Sequence, residues 1–322
     1  MKKIIIYIFL SIVVFILMFF GYINLSWDKN LDAPYPKIVA SNDSSIVELG
    51  SYLIYGPAHC AYCHVPTEQK NKVVAGEKIP LSGGTTFNLP IGTFTTPNLT
   101  PDEETGIGNI SDEELARSIR YSVNHNNKLM FPFMLYQDLT DEHLTAIISF
   151  LRSQKPIFND VPSNEYNLLG KIYSSLGFLK QVTASKNIAK TIVKDSTKEY
   201  GKYLVNSVAN CIYCHTNQNM KTGEFINKPF AGGRILDAEP FSGLQKGYEY
   251  ITPNLTTDNE TGIMAFWSEK DFIRRFKSGR IHVGSPMPWE AFARMDEVDM
   301  KAIYRYLKSL EPVRNKINRV YR

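Results

Sequence analysis

The chain repeats itself, and this duplication constrains its fold more than any other feature. ELGSYLIYGPAHCAYCH at 48–64 resembles EYGKYLVNSVANCIYCH at 199–215. TPNLTPDEETGIG at 96–108 likewise resembles TPNLTTDNETGIM at 252–264. Segments that recur in the same order with small changes in spacing indicate two copies of one domain that differ by loop insertions.

Each copy predicts a mainly α-helical domain with long loops. A helix leads into the cysteine pair, a Gly/Pro/Thr-rich segment follows, and a capped helix comes next. Ser111 and Glu114 have the spacing of a capping box, and Ser268 is the predicted N-cap in the second copy. A closing amphipathic helix is indicated by apolar residues at helical period: Leu144, Ile147, Ile148 and Leu151, then Met300, Ile303, Leu307 and Leu310. We find no run of alternating residues that predicts a strand.

The cysteines fall in two CxxCH motifs, Cys60/Cys63 and Cys211/Cys214. A zinc ribbon needs two cysteine pairs about 15–20 residues apart, and a thioredoxin-type dithiol needs a βαβ setting; neither fits. CxxCH is typical of covalent c-type haem attachment, in which two thiols bind the two vinyl groups and the adjacent histidine binds the iron. We therefore predict two covalently bound haems. Structural disulfides and zinc are the remaining alternatives.

The axial ligands follow from the same motifs. His64 and His215 are the predicted proximal ligands, and the second ligand of a six-coordinate haem is usually Met or His. In the second copy we predict Met287, which lies in the irregular loop GSPMPWEAF. In the first copy we predict Met134. Alignment of the copies instead places Met130 opposite Met287, so both candidates stay open.

The other histidines receive ordinary structural interpretations. His125 and His282 occupy matching places and are expected at the surface or in a helix cap, and His143 is expected on the exposed side of the closing helix.

The N-terminus predicts a membrane anchor, residues 1–28. No charged residue occurs between Lys3 and Asp28, and a bilayer needs about 20 apolar residues. The two N-terminal lysines are expected to stay in the cytoplasm. The remainder of the chain, beginning with a polar spacer at 29–44, is then on the periplasmic side of the inner membrane.

These motifs resemble those of a known family. CxxCH, TPNLTPDEETGIG, a capped SDEEL helix, an MP loop and a final AIYRYLKSL helix are similar to the c-type cytochrome subunits of membrane-bound alcohol and gluconate dehydrogenases, and to related exported dihaem cytochromes. The resemblance implies two tandem class-I cytochrome c-like domains, at 45–157 and 196–313, joined by a linker with a short helix at 158–195. It also implies the His64, His215 and Met287 ligands. Met134 is followed by leucine, where the family has Met–Pro.

The expected function is electron transfer without catalysis. Redox protein partners are expected: a dehydrogenase, a quinol-oxidising complex or a terminal oxidase. The net charge is only +4, and the sequence contains no long basic stripe. No nucleic acid is therefore expected as a partner. The alternatives are a cytochrome subunit of a membrane-bound dehydrogenase and a dihaem peroxidase, which needs one iron with an open site.

Overall fold

The computed structural model describes residues 2–219, 223–238 and 247–317. The described part of the chain is mainly helical. Its α-helices, in chain order, are α1 Lys2–Ser26, α2 Ser44–Tyr55, α3 Lys70–Ala75, α4 Asp112–Tyr121, α5 Asp141–Ser153, α6 Leu168–Ser175, α7 Lys198–Tyr203, α8 Cys211–Cys214, α9 Glu269–Lys277, α10 Trp289–Phe292 and α11 Glu297–Lys308.

Short strands, of which the sequence predicted none, occur in the Gly/Pro/Thr-rich segments and near the start of the linker. The strands are β1 Thr86–Leu89, β2 Gly92–Thr95, β3 Glu165–Tyr166, β4 Ile235–Asp237 and β5 Glu249–Ile251. An antiparallel sheet has the order β1-β2-β3, and β4 pairs with β5. The prediction of strandless loops was wrong because runs of two to four residues are too short to show a period of two.

The same helix pair forms the centre of each half. Helix α2 packs against α5, and α7 packs against α11. A glycine sits at each crossing. A Cβ on Gly50 would lie 1.9 Å from the carbonyl oxygen of Ala146, and a Cβ on Gly201 would lie 1.9 Å from that of Ala302. Only a residue without a side chain allows the backbones to approach this closely.

The helix caps are the ones that the sequence predicts. Ser111 and Glu114 form a capping box at the start of α4. Ser268 forms a second one at the start of α9, with Asp271 as its partner. In both halves the hydroxyl accepts a backbone N–H that would otherwise be unpaired at the helix start.

The repeated TPNLT segment ties the middle loop to the chain after the closing helix. Asn98 Nδ2 donates to the carbonyl oxygen of Ile157 at 2.7 Å, and Asn254 Nδ2 donates to that of Val313 at 2.7 Å. Both asparagines are buried. These side chains therefore hold the loops in which the residues facing the CxxCH histidines lie.

Helix α1 projects from the rest of the molecule. Its side chains are exposed from Lys2 onward, apart from a few near its end, among which Ile23 is buried. It is the one helix among the described residues that is long and apolar enough to cross a membrane.

The segment 29–44 is more than a spacer. Ala33 and Ile38 are buried, and Arg117 donates to the carbonyl oxygen of Leu31 at 3.1 Å. The sequence showed only the polar and proline residues of this segment, whereas its few apolar side chains attach it to the first half.

Candidate cofactor centres

Each of the two CxxCH motifs forms a single helical turn. Cys60–Tyr62 form a 3-10 turn, and the backbone N–H of His64 donates to the carbonyl oxygen of Cys60 at 3.0 Å. In the second half Cys211–Cys214 form α8, and the N–H of His215 donates to Cys211 at 2.9 Å. The turn thus holds two thiols and an imidazole together in each half.

The residue before each turn has an unusual backbone conformation. His59 has φ 45° and Asn210 has φ 53°, both in the left-handed region. That region is uncommon for residues other than glycine, although histidine and asparagine are enriched in it. This sharp bend turns the chain from the preceding helix into the CxxCH turn.

None of the four cysteines forms a disulfide. Burial raises the pKa of Cys60 and of Cys211 to about 12. Both therefore remain neutral thiols at physiological pH. Among the described residues there is no cluster of three or more His, Cys, Asp or Glu side chains that could hold a metal ion.

Each CxxCH histidine is buried and faces a proline carbonyl. His64 is 6% exposed and His215 is 8% exposed. Nδ1 of His64 lies 3.4 Å from the carbonyl oxygen of Pro97, and Nδ1 of His215 lies 3.2 Å from that of Pro253. Burial lowers the pKa of each imidazole to about 4, so both rings are neutral at physiological pH.

This contact assigns the tautomer of each ring. A neutral imidazole that faces a carbonyl through Nδ1 carries its proton there, because the carbonyl can only accept. The lone pair is then on Nε2. Histidines that bind metals have the same arrangement, in which the second ring nitrogen donates to a backbone carbonyl or a carboxylate.

A glycine makes room for each proline carbonyl. Gly83 has φ +75° and Gly232 has φ +70°, and a Cβ at either position would lie 2.5 Å from the carbonyl oxygen of the facing proline. The glycine N–H groups donate to the backbone oxygens of His64 and His215 at 3.0 and 2.8 Å. This support of the histidine by glycine and proline was not predicted from the sequence. Its signal was available in the repeated Gly-Gly and TPNLT segments.

The methionine candidates differ in their surroundings. Met134 and Met287 are partly buried and pack against the main hydrophobic cluster, which does not include Met130. The backbone N–H of Met130 donates to Ser122 at 2.8 Å. Met264 and Met295, two further methionines of the second half, are buried within the cluster itself. Met134 thus shares the packing environment of Met287.

The predicted exposure of His143 was wrong. This residue is 4% exposed, and its Nδ1 lies 2.9 Å from the hydroxyl of Tyr203 in the second half. Burial lowers its pKa to about 4. Helical periodicity correctly identified the face that α5 turns toward its own half, but the opposite face is covered by the second copy. His125 and His282 are exposed, as expected.

The contact between the halves is reciprocal. The hydroxyl of Tyr203 accepts the backbone N–H of Thr140, the N-cap of α5, at 3.2 Å. In the mirror position, the hydroxyl of Tyr52 accepts the N–H of Asp296, the N-cap of α11, at 3.0 Å. Tyr52 also donates to Asp299 on α11. Each half therefore places a tyrosine at the start of the other half's closing helix.

The residues before the CxxCH turns meet the opposite half as well. The ring of His59 lies 5.6 Å from that of Phe292 in an edge-to-face arrangement. Asn210 interacts with the hydroxyl of Tyr136, which is buried and also donates to the carbonyl oxygen of Ala58. The two thiol-bearing turns thus lie at the interface between the halves.

Asp299 yields a prediction about pH. It is fully buried; one carboxylate oxygen accepts from Tyr52, and the other lies 3.8 Å from Lys194 Nζ. Burial raises its pKa, against the opposing effects of the tyrosine and the lysine. Asp299 therefore keeps a proton in the folded protein at pH values where the unfolded chain has released it, and its contribution to the free energy of unfolding falls as pH rises from about 4.

The side chain introduced by Asp299→Asn cannot ionise, so the fall in the free energy of unfolding with rising pH disappears. We expect the free energy of unfolding of the variant, relative to the original protein, to rise between pH 4 and pH 7 in urea titrations. Asp296→Asn removes a second carboxylate from Lys194 and also a charge that raises the pKa of Asp299, so as the control it should give a smaller rise. An equal rise in that control would assign the effect to Lys194 and contradict the burial argument.

Comparisons with known proteins agree with the motif content. No protein-family model matches the sequence. Relatives at 24–27% identity are cytochrome c subunits of alcohol, fructose and gluconate dehydrogenases and a diheme cytochrome c, which confirms the resemblance inferred from the motifs.

Two of these relatives illustrate the coverage. The fructose dehydrogenase cytochrome subunit of Gluconobacter japonicus is 27% identical over 285 residues, which cover 84% of this chain and 54% of that protein. The cytochrome c subunit of the quinone alcohol dehydrogenase of Gluconobacter oxydans is 27% identical over 292 residues, which cover 84% of this chain and 56% of that protein. The chain thus spans about half the length of these relatives.

Proposed function

We propose that the chain is a membrane-anchored dihaem cytochrome c that transfers electrons in a periplasmic respiratory chain. The observation that carries this proposal is the matched pair of Cys/Cys/His turns, each with its imidazole oriented by a proline carbonyl. Two thiols one turn apart, and a neutral histidine with its lone pair on Nε2, fit the chemistry of covalent haem attachment. The relatives that are cytochrome c subunits support the same function.

The proposed roles divide the chain as follows. Residues 1–28 are the anchor, 45–157 and 196–313 are two class-I cytochrome c-like domains, and 158–195 are the linker. The thiols that hold haem are Cys60 and Cys63, then Cys211 and Cys214; the axial ligands are His64 with Met134, and His215 with Met287.

Haem, when bound, supplies the Fe(III)/Fe(II) couple, and the protein adjusts its potential. A Met/His ligand pair and an apolar surrounding raise the reduction potential. His64 and His215 are nearly excluded from solvent, and their neutral state adds no charge to the site. The two turns that would hold the haems lie at the interface between the halves.

The proposed location is the inner membrane, with α1 crossing it once and the domains on the periplasmic side. Lys2 and Lys3 stay in the cytoplasm by the positive-inside rule. The proposed partners are a dehydrogenase, a quinol-oxidising complex or a terminal oxidase. Transient redox encounters of this kind use small interfaces.

The second candidate function is a cytochrome subunit of a membrane-bound dehydrogenase, as the relatives' names describe them. Co-purification of a dehydrogenase with the full chain from native membranes distinguishes this role from that of a free carrier. A dihaem peroxidase is less well supported, because Met134 and Met287 both pack beside the core.

The methionine ligands provide the spectroscopic test. Low-spin haem with a methionine ligand gives a charge-transfer band in the far red, and we expect contributions from both centres. Met134→Ala is expected to remove about half of this band, since two equivalent centres contribute. Met130→Ala is the matched control and should leave the band unchanged, because this side chain lies outside the core cluster.

Two results would contradict the proposal in different ways. Loss of half the band in Met130→Ala with no loss in Met134→Ala would exchange the two ligands but keep the carrier function. A high-spin centre together with peroxide turnover by the reduced protein would replace the carrier with a peroxidase.

A further inference from the structure

Helix α6 has its apolar face outward. It lies in the linker, which has no counterpart in the repeat. Leu168 and Leu169 are 52% and 43% exposed, and Leu176, the C-cap two turns further on, is 51% exposed. The opposite side packs inward at Gly170, where a Cβ would lie 2.1 Å from the carbonyl oxygen of Ile91. A helix of a soluble domain normally has the reverse arrangement, with its apolar stripe toward the core.

The inward side of α6 is attached to the end of α1. Ser174 Oγ donates to the carbonyl oxygen of Trp27 at 2.5 Å, and Ser175 Oγ donates to that of Ile23 at 3.2 Å. The hydroxyl of Tyr22 donates to the carbonyl oxygen of Ser175 at 3.4 Å. These bonds fix α6 beside the last turn of the apolar helix.

This attachment sets the height of α6 relative to a bilayer. A helix rises 1.5 Å per residue, so Ile4 to Ile23 extends about 30 Å, the thickness of the hydrocarbon core. Tyr22 and Trp27 then lie at the outer interface, where tyrosine and tryptophan are enriched. Helix α6 lies at the same level.

The composition of α6 and the residues after it fits an interfacial helix. Lys171 Nζ lies 4.9 Å from the ring centroid of Trp27. Phe178 is 50% exposed, Lys180 follows it, and the sequence from 166 to 190 contains no acidic residue. Helices that lie in the membrane surface combine an apolar face with lysines, which are attracted to anionic lipid head groups.

We propose that residues 167–180 form a second membrane contact, with α6 lying in the outer surface of the bilayer and its leucine face toward the acyl chains. This inference rests on the proposed membrane anchor. The occupant is the lipid bilayer, because the exposed leucines are continuous with the helix that crosses it. A second copy of the chain or a dehydrogenase subunit on this face would be the contrary outcomes.

The contact also orients the first half. Asn167 Nδ2 donates to the carbonyl oxygen of Pro90 at 2.9 Å, and β3 pairs with β2. Through these bonds the β1-β2-β3 sheet is held beside α6. The first half therefore stays at a fixed height above the membrane and cannot swing freely about a single flexible tether.

Photo-cross-linking in native membranes tests this contact. A diazirine side chain is introduced into the full-length holoprotein at Leu169 or Leu176, and the adducts are identified by mass spectrometry. We expect lipid adducts at both positions. The same probe at Val193, which is 75% exposed but lies outside the proposed contact at 167–180, is the matched control and should give none.

The probe at Phe15 in α1 separates the possible failures. Lipid adducts at Phe15 without lipid adducts at Leu169 and Leu176 would overturn this inference and keep the anchor. Adducts with protein at the two leucines, whether with a second copy or with another chain, would assign the face to that partner and overturn it as well. Absence of lipid adducts at Phe15 would remove the anchor and this inference with it.

Discussion

Replacing Cys60 and Cys63 with alanine is expected to leave a protein that carries one haem in place of two. Both thiols of the first turn are lost, and His64 alone holds haem only by coordination. The second turn keeps its complete set of ligands and should mature normally. The pyridine haemochrome content per chain, together with the intact mass, measures the result. The expected loss is about half of the covalent haem, since one CxxCH motif attaches one haem.

The reciprocal variant is the matched control. Cys211→Ala with Cys214→Ala should also keep one haem, now in the first half. Two haems per chain in either variant would show that the altered turn is not an attachment site. Colourless original protein after proper maturation would remove the cytochrome function altogether.

Gly50→Ala is expected to destabilise the first half severely, although alanine is the better helix former by about 1 kcal/mol. The added methyl group would meet the carbonyl oxygen of Ala146 at 1.9 Å. That oxygen belongs to the backbone of α5 and cannot rotate away, so the two helices must separate. Overpacking costs typically about 1–3 kcal/mol and occasionally more. A 1.9 Å contact with a fixed backbone oxygen belongs at the upper end of that range, so the net change remains a loss. Urea denaturation followed by far-ultraviolet circular dichroism measures it.

Two other glycines provide the comparison. Gly201→Ala, which meets Ala302 at the same distance, should cause a loss of similar size in the second half. Gly21→Ala in α1 has no atom within 4 Å of the new Cβ and should cause no loss. If Gly50→Ala were as stable as the original protein, the helices would not cross at this short distance.

Local signals in the sequence predicted local structure well. Hydroxyl and carboxyl groups three residues apart, such as Ser111 and Glu114, predicted a helix start because both partners of the cap lie within one turn. The apolar spacing of the closing helices predicted α5 and α11 for the same reason. The relatives confirm the resemblance that the motifs indicated.

Features that depend on distant parts of the chain were missed. Nothing near His143 in the sequence indicates Tyr203, because their contact is made only when the two halves meet. The proline carbonyl that orients His64 belongs to Pro97, and backbone groups leave no signal in side-chain periodicity. Met134 packs against the core and Met130 does not. A loop sequence cannot show this difference in packing.

The reciprocal tyrosine contacts have a further consequence. They have the form of an isologous homodimer, in which each subunit uses the same patch on the other, but here both subunits lie on one polypeptide. Joining them frees the two copies of each contact to diverge. Tyr203 meets an imidazole at His143, whereas Tyr52 meets a carboxylate at Asp299. The two contacts across the seam between the halves are therefore chemically unlike, a difference that no symmetric pair could have.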